Sequence, residues 1–555
     1  MPTLEFKGKP FVYSHHLSVP FRELIVDEAK SVAPEGDTPG LDGNLIIHGD
    51  NLEALKALLP RYAGKVDVIY IDPPYNTGNE GWAYNDNVNA PQLKEWLGKV
   101  VDSEDMERHD KWLAMMWPRL QLLRELLTET GFMLISIDDK EVHRLRSVVE
   151  EIGFDLVVEL VWKSRKFVDA RAVSGVSNDH EYILVLSLGG GSALRGVARD
   201  ETKFSNPDNN TRGPWMSRSI LGLATPEQRP NLHFEIRDPK SGNVFKPPIQ
   251  TGWRYNRERL ERMIGEERII FPPSPNGRPR EKKFRNEMTR EFSTFPSIID
   301  TVFTSDGTAE ARQIIPDRSF DFPKPSKLVA MLAEQAGGPD ALILDSFAGS
   351  GTTAHAVLAL NKSDGGNRKF ILIETEDYAD TLTAERVRRV IKGVPGAKDG
   401  ALKAGLGGSF TYCDLGEPMD MERFFAEDGK APSWDQVARY VAYTATGETL
   451  APGAGKGAGE DGFAGHVGPY RLHLLYRDDP KWMRSNAAML DLTTAEQIAE
   501  AAKVDGGKPV LLFAAGKLMG QRTLTDMGIT FCQLPYSVHR ILGEGTEGVA
   551  GVDAT

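Results

Sequence analysis

Apolar positions change their period several times along this chain. "NLIIHGD" (residues 44–50) and "VDVIYID" (66–72) are short apolar runs rich in β-branched residues, the pattern of strands buried on both faces. Between them, "NLEALKALLPRY" puts Leu52, Leu55, Leu58 and Leu59 on one helical face. "KWLAMMWPRLQLLRELLTETG" predicts a long amphipathic helix closed by Gly131. A strand "FMLISID", a helix "KEVHRLRSVVEEIG" and two strands, "DLVVELVWK" and "EYILVLS", joined as a long hairpin, follow. From 190 to 315 the periodicity lapses into NPDNNTRGPW, DPKSGN and FPPSPNGRPREKK, which predicts short strands and loops. It returns with a helix "PSKLVAMLAEQAG", a strand "ALILDSF", a helix "GTTAHAVLALN" and a strand "KFILIET". Gly/Ala-rich stretches at 396–408 and 451–468 read as linkers, and "YRLHLLYRD", "KPVLLFAAGK" and "ITFCQLP" as a small closing α/β unit.

Strands alternating with helices predict an α/β fold with a largely parallel sheet covered on both faces. The expected division is an irregular arm at 1–40, α/β segments at 41–190 and 316–400 flanking an insert at 191–315, and a linker with a C-terminal α/β domain at 401–555. A chain of 555 residues exceeds what one core usually holds. No apolar run approaches the ~18 residues of a membrane span, and the first residues lack the layout of a signal peptide. Two cysteines, Cys413 and Cys532, cannot build a disulfide framework or a four-thiolate zinc site, so a cytoplasmic protein without a metal is expected.

The net charge of −13 argues against a protein that coats nucleic acid. Charge acts over only ~8–10 Å, however, and its distribution is uneven. Residues 253–290 hold 11 Lys/Arg against 6 Asp/Glu, and residues 414–470 hold 4 against 10.

Two loops carry the candidate chemistry, each beyond the end of an expected strand, where ligands bind in open parallel sheets. In "LDSFAGSGTTAHAV", Asp345 ends a strand, Gly349 and Gly351 permit a tight turn, and Thr352 and Thr353 open a helix whose amides suit an anionic group. Thr352 stands where a triphosphate-binding loop needs lysine, so that ligand is excluded. A nucleoside cofactor fits, with Glu374 of "ILIETED" placed at the next strand end to accept from ribose hydroxyls. The other loop is Asp72-Pro73-Pro74-Tyr75, in which two locked rings stop the strand beside a carboxylate and an aromatic face.

DPPY together with FAGSG resembles the motif pair of the amino-methyltransferases that methylate exocyclic amines of DNA bases from S-adenosylmethionine. DPPY ahead of a large insert and FAGSG is similar to their circularly permuted β class. "IIHGDNLEALKAL", "DPPYNTGN", "YNDN", "GFMLISIDDKEV", "VWK…SNDHEYILV", "PDNNTRGPW", "FDFPKPSKL" and "FCQLPY" resemble the Mod subunits of type III restriction–modification systems and their solitary relatives. The resemblance implies a Rossmann-like S-adenosylmethionine-dependent fold with an inserted target-recognition domain. It implies a sequence-specific, cytoplasmic DNA adenine-N6 methyltransferase that works as a homodimer on double-stranded DNA, with or without a Res helicase–nuclease partner. The Asp72 carboxylate and the Pro73 carbonyl would hold the amine, Pro73 and Pro74 would stiffen the loop, and Tyr75 would stack on the flipped base. Phe322, Lys324, Pro325, Phe347, Ala348, Gly349, Ser350 and Gly351 would hold the cofactor's methionine end, Glu374 its ribose and Asp50 its adenine. Asp50 also suits a helix cap, Lys324 a solvated first turn, and His355 packing.

For DNA contact, Asn76 and Tyr84 lie in the stretch that would close over the base, and Lys163 and Arg212 in matched segments. Arg278, Arg280, Lys282, Lys283 and Arg285 come from the basic loop "PNGRPREKKFR", whereas residues 254–268 also suit a solvated charged helix. Rival readings are cytosine-N4 methylation, against which Asp72 counts, a non-catalytic DNA-binding subunit of a restriction complex, and methylation of RNA.

Overall fold

The computed structural model describes residues 3–34, 36–75, 105–170, 172, 174–189, 193–317, 320–419, 431–451, 454 and 461–534. They fall into two compact units, a main one (1–194 with 296–555) and a second one (195–295).

The apolar runs of the main unit build one ten-stranded sheet. Its strands are β1 (Arg22–Val32), β2 (Leu45–His48), β3 (Val66–Ile71), β4 (Leu127–Ile137), β5 (Asp155–Trp162), β6 (Glu181–Ser187), β7 (Ile298–Ile299), β8 (Leu342–Asp345), β9 (Lys369–Glu374) and β10 (Phe410–Pro418). They lie in the order β1-β10-β2-β9-β8-β3-β4-β6-β5-β7. From β10 across to β4 all neighbours are parallel. β1 runs antiparallel to β10, and β6 is antiparallel to both β4 and β5, so the sheet is mixed around a parallel centre. β3 and β8 pair with Val68 opposite Ile343 and Ile69 opposite Leu344, which makes the chain leave both strands side by side. Helices Asn51–Tyr62 and Asp105–Leu126 line the core, where Trp112 and Trp117 are buried.

Several expectations need correction. The long helix ends at Leu126, and residues 127–130 already belong to β4. Gly131 is therefore not a helix stop: a Cβ there would lie 2.8 Å from the Asp67 carbonyl, so glycine lets β4 close on β3. The irregular arm contains β1, an edge strand that buries only Leu24, too little apolar surface to announce itself. The stretch read as a linker near 400 contains a short helix, Gly400–Ala404, and runs into β10 of the main sheet.

The second unit starts at 195 rather than 191, and residues 296–315 belong to the main one. It has its own core of Ile220, Ile236, Phe245, Trp253, Leu260, Met263 and Ile269. Its first and last strands, Val197–Ala198 and Phe292–Ser293, pair with each other. The charged segment forms a helix, Arg257–Gly265, capped by Asn256 and burying Leu260 and Met263. Arg280–Phe284, expected as a loop, is the centre of a three-stranded sheet.

Toward the C-terminus, strands Tyr470–Leu474, Val510–Ala514 and Ile529–Gln533 are parallel, and Phe463–Val467 joins antiparallel. Helix Trp434–Thr446 packs on this sheet and ties it to helices Asn51–Tyr62 and Asp105–Leu126. Tyr443 donates to Glu125 at 2.6 Å, and Arg61 pairs with Asp435 at 2.7 Å. Cys413 and Cys532 are free thiols, and among the described residues no helix is long and apolar enough to cross a membrane.

Because the second unit has its own core, Trp253→Ala should cost ~3–5 kcal/mol there. The indole is 1% exposed and donates to the Phe234 carbonyl at 2.7 Å. Hydrogen exchange should show protection lost across 195–295 and kept in the main sheet. Equal loss throughout would mean that the two units do not unfold separately.

Candidate active site

β3 ends at Ile71, and the next four residues turn away from the sheet. Pro73 is buried, and the Trp112 indole donates to the Pro74 carbonyl at 2.6 Å, which pins the turn from below. The Asp72 carboxylate faces Lys324, whose Nζ donates to both carboxylate oxygens at 2.8 Å. The same ammonium donates to Tyr75 Oη at 2.8 Å, and the Tyr75 hydroxyl donates to Glu181 Oε2 at 3.0 Å. Glu181 Oε2 is also 3.4 Å from Nζ. The rings of Tyr75 and Trp162 lie 4.7 and 5.8 Å from the cation.

Burial alone would lower the Lys324 ammonium. The charges and hydrogen bonds of Asp72 and Glu181 outweigh it and hold the group above the ordinary lysine value. Burial, reinforced by Asp72 and Glu181, pushes the Tyr75 phenol well above its usual value, so it remains a neutral donor. Lys324, whose alternative reading is a solvated first turn, has a side chain only 10% exposed and pairs with Asp72 across the DPPY turn. Sequence reading missed Glu181, although it lies in the "SNDHEYILV" segment.

The segment carrying Lys324 is tightly set. Gly307, within helix Thr304–Ile314, would bring a Cβ to 2.2 Å from the Pro323 carbonyl, so only glycine lets the segment pack there. Thr352 donates to the Lys324 carbonyl at 3.2 Å, and the Ser326 amide donates to Glu310 Oε2 at 3.1 Å. Glu310 is shared with His355 and with Arg386, which is wholly buried. Arg386 also donates to Ser350 and Thr352 at 2.8 Å, so one guanidinium ties the glycine loop to the lysine segment. Burial alone would raise the Glu310 carboxyl, but His355 and Arg386 together hold it at about 2. Phe322 has φ +53° and is 79% exposed, an uncommon backbone state for an aromatic residue; Pro325 precedes the helix Ser326–Ala336.

The glycine loop leaves β8 next to the DPPY turn. Asp345 accepts from the Phe347 amide and the Thr353 hydroxyl, and burial pushes its carboxyl up to about 7. Phe347, Ala348, Ser350, Thr352 and Thr353 are all buried. Gly349, at φ +51°, donates to Glu374 Oε2 at 2.7 Å. Glu374 is 1% exposed, and its other oxygen takes the Thr375 and Glu376 amides; burial pushes it up to about 7 against the pull of those three donors. Glu374 therefore braces the loop. Among the described residues, the buried hydroxyls of Ser346 and Thr375, just beyond β8 and β9, have no hydrogen-bond partner, which suits a polar ligand there. Asp50 caps the helix that follows β2 through Leu52 and Glu53, with its second oxygen 3.5 Å from Arg119. Arg119 is buried and also holds Asn51, whose amide donates to the Ser346 carbonyl at 3.1 Å. Neither Arg119 nor Arg386 carries a local sequence signal.

Among the basic candidates, Lys282 pairs with Asp208 at 2.6 Å and Arg285 with Glu201 at 2.7 Å. Arg280 donates to Ser217, and Arg212 to the Glu266 carbonyl. Among the described residues, Arg278 and Lys283 have no hydrogen-bonded side-chain partner, and Lys163 is exposed beyond β5. Asn76 and Tyr84 lie outside the described residues.

Residues 66–385 match the family described as DNA methylase. The chain is 33% identical over 387 residues to the Mod subunit of the type III restriction-modification enzyme StyLTI from Salmonella typhimurium, covering 62% of this chain and 57% of that protein. It is 30% identical over 416 residues to the EcoP15I Mod subunit from Escherichia coli, covering 63% of each. It is also 30% identical over 371 residues to the type II methyltransferase M.KpnI from Klebsiella pneumoniae, covering 64% of this chain and 84% of that one. This chain thus spans 57% and 63% of the lengths of those two Mod subunits.

The glycine loop yields a sharp test. Gly351, at φ +77°, would put a Cβ 2.9 Å from the Thr383 carbonyl, whereas Gly365, at φ +74°, faces open space. Both alanine variants carry the backbone penalty of ~1–2 kcal/mol, but only Gly351→Ala must also displace the loop. Calorimetric affinity for S-adenosylmethionine should fall at least ~10-fold for Gly351→Ala and stay within about twofold for Gly365→Ala. Equal affinities would remove this loop from the cofactor site.

Proposed function

This chain belongs to the DNA methylase family, and on that premise we propose that it methylates the N6 amine of an adenine flipped out of double-stranded DNA, using S-adenosylmethionine. The observation that carries the reading is the meeting of the DPPY turn, the lysine segment and the glycine loop at adjacent parallel strand ends. A circularly permuted, Rossmann-like methyltransferase with residues 195–295 as target-recognition domain fits the order of these motifs. The type III Mod relatives support a place in a restriction–modification system, and the proposal includes sequence-specific action in the cytoplasm as a homodimer, with a Res helicase–nuclease or alone.

The residues fit the cofactor. The glycine turn, the Ser346 and Thr375 hydroxyls, unpartnered among the described residues, and the exposed Phe322 offer polar and stacking contacts. The cofactor would supply a methyl group activated by positively charged sulfur. The protein's task is then position. The adenine amine is a weak nucleophile because its lone pair is delocalised into the ring. Asp72 and the Pro73 carbonyl accept hydrogen bonds from its two N–H groups, which lets nitrogen pyramidalise and present the lone pair. On receiving the methyl group N6 would carry a surplus proton, and Asp72 is the group placed to take it. Prolines and the Trp112 bond keep the acceptors fixed, and Tyr75 offers its face to the base.

Single-molecule sequencing of DNA from a methylation-free host expressing this chain should show N6-methyladenine in one short motif. Asp72→Asn should lower kcat at least ~100-fold with S-adenosylmethionine affinity nearly unchanged. A cytosine-N4 signal would replace the base assignment, and no modification by a folded, cofactor-binding protein would favour a non-catalytic DNA-binding subunit.

DNA contact through the second unit makes its own prediction. Arg278→Ala with Lys283→Ala should weaken DNA binding and reduce the salt slope by about 2. Lys282→Ala, already paired within the unit, should change that slope less. Identical slopes for all variants would place the DNA elsewhere.

A further inference from the structure

The acceptor that the target amine needs is already filled. Lys324 Nζ donates to both oxygens of Asp72 at 2.8 Å, and its side chain is only 10% exposed. An amine approaching Asp72 therefore meets a cation, and it gains positive charge as the methyl group arrives. Two positive nitrogens sharing one carboxylate repel each other, most strongly where water is excluded. The turn holds a second carboxylate for which the motif chemistry has no use. Glu181 Oε2 lies 3.4 Å from Nζ, accepts from the Tyr75 hydroxyl at 3.0 Å, and belongs to a side chain 19% exposed. Asp72, Glu181 and Lys324 together leave one net negative charge, which suits a reaction centre that becomes more positive.

We propose that Lys324 stands in for the target amine on Asp72 while no base is present, and that Glu181 is the positioning residue that takes the ammonium when the base arrives. The displacement is short, because Nζ already lies between the two carboxylates. Tyr75 remains attached to Glu181 through its hydroxyl, so the stacking ring and the lysine are reset by the same group. The lysine also keeps the turn from being forced apart, since Asp72 and Glu181 would otherwise face each other as like charges. Base entry becomes an exchange of donors on Asp72, and a base lacking an exocyclic amine has nothing to offer in that exchange. This role rests on the methyl-transfer reading given above.

The test compares wild type, Glu181→Gln, Glu181→Asp, Lys324→Met and the double variant Glu181→Gln/Lys324→Met. The substrate is a duplex carrying the motif found by sequencing, with 2-aminopurine next to the target adenine, so that the target keeps its N6 amine and unstacking of its neighbour reports docking. Glutamine keeps the size and an acceptor for Tyr75 but removes the charge. Glu181→Gln should raise the KM for DNA about 10-fold and suppress the 2-aminopurine signal, with the melting temperature and S-adenosylmethionine affinity unchanged. Glu181→Asp should restore most of both. In the Lys324→Met background, Glu181→Gln should have little further effect, because the ion it receives is gone. Equal effects of Glu181→Gln with and without Lys324, or none in an active enzyme, would overturn the exchange. A wild-type chain that binds S-adenosylmethionine but methylates no DNA would instead overturn the function and, with it, this role.

Discussion

An ammonium and a carboxylate that lie 252 residues apart in the chain meet at 2.8 Å, and much of the architecture serves that meeting. Each charge would be costly to bury alone, and removing one partner of such a pair typically costs ~3–5 kcal/mol. The pair can form only if β3 and β8 are neighbours, if the Pro-Pro turn stops where it does, and if Gly307 lets the lysine segment close in. Arg386 secures the same arrangement from behind, joining Glu310 to Ser350 and Thr352, so the lysine segment and the glycine loop move as one piece.

What sequence could reveal here was whatever is encoded locally. The runs 66–72 and 341–347 read as strands because parallel strands buried on both faces are continuously apolar. DPPY and FAGSG were legible because proline and glycine impose backbone states wherever they occur. β1 was hidden because an edge strand that buries little besides Leu24 has no period to detect. Gly131 misled because a glycine that permits close strand approach looks the same as one that ends a helix.

The site shows the same division. Asp72 and Tyr75 were identifiable, but the partners that fix them come from distant elements: Lys324, Glu181 and Trp112. Glu374 was recognisable as an acid at a strand end, yet whether such a group faces a ligand or braces its own loop depends on Gly349, Thr375 and Glu376 donating to it. The basic count of 253–290 likewise overstated the charge on offer, because Asp208 and Glu201 occupy Lys282 and Arg285 from outside that window.

Residues 195–295 begin and end in paired strands, with Val197–Ala198 against Phe292–Ser293. Neighbouring strands lie ~4.8 Å apart, so the chain departs and returns almost at one point. A gene segment encoding everything between those strands can be exchanged for another of different length and content without stretching the main sheet. Under the recognition role proposed for residues 195–295, recombination at these two points would change what is read while leaving the proposed chemistry intact.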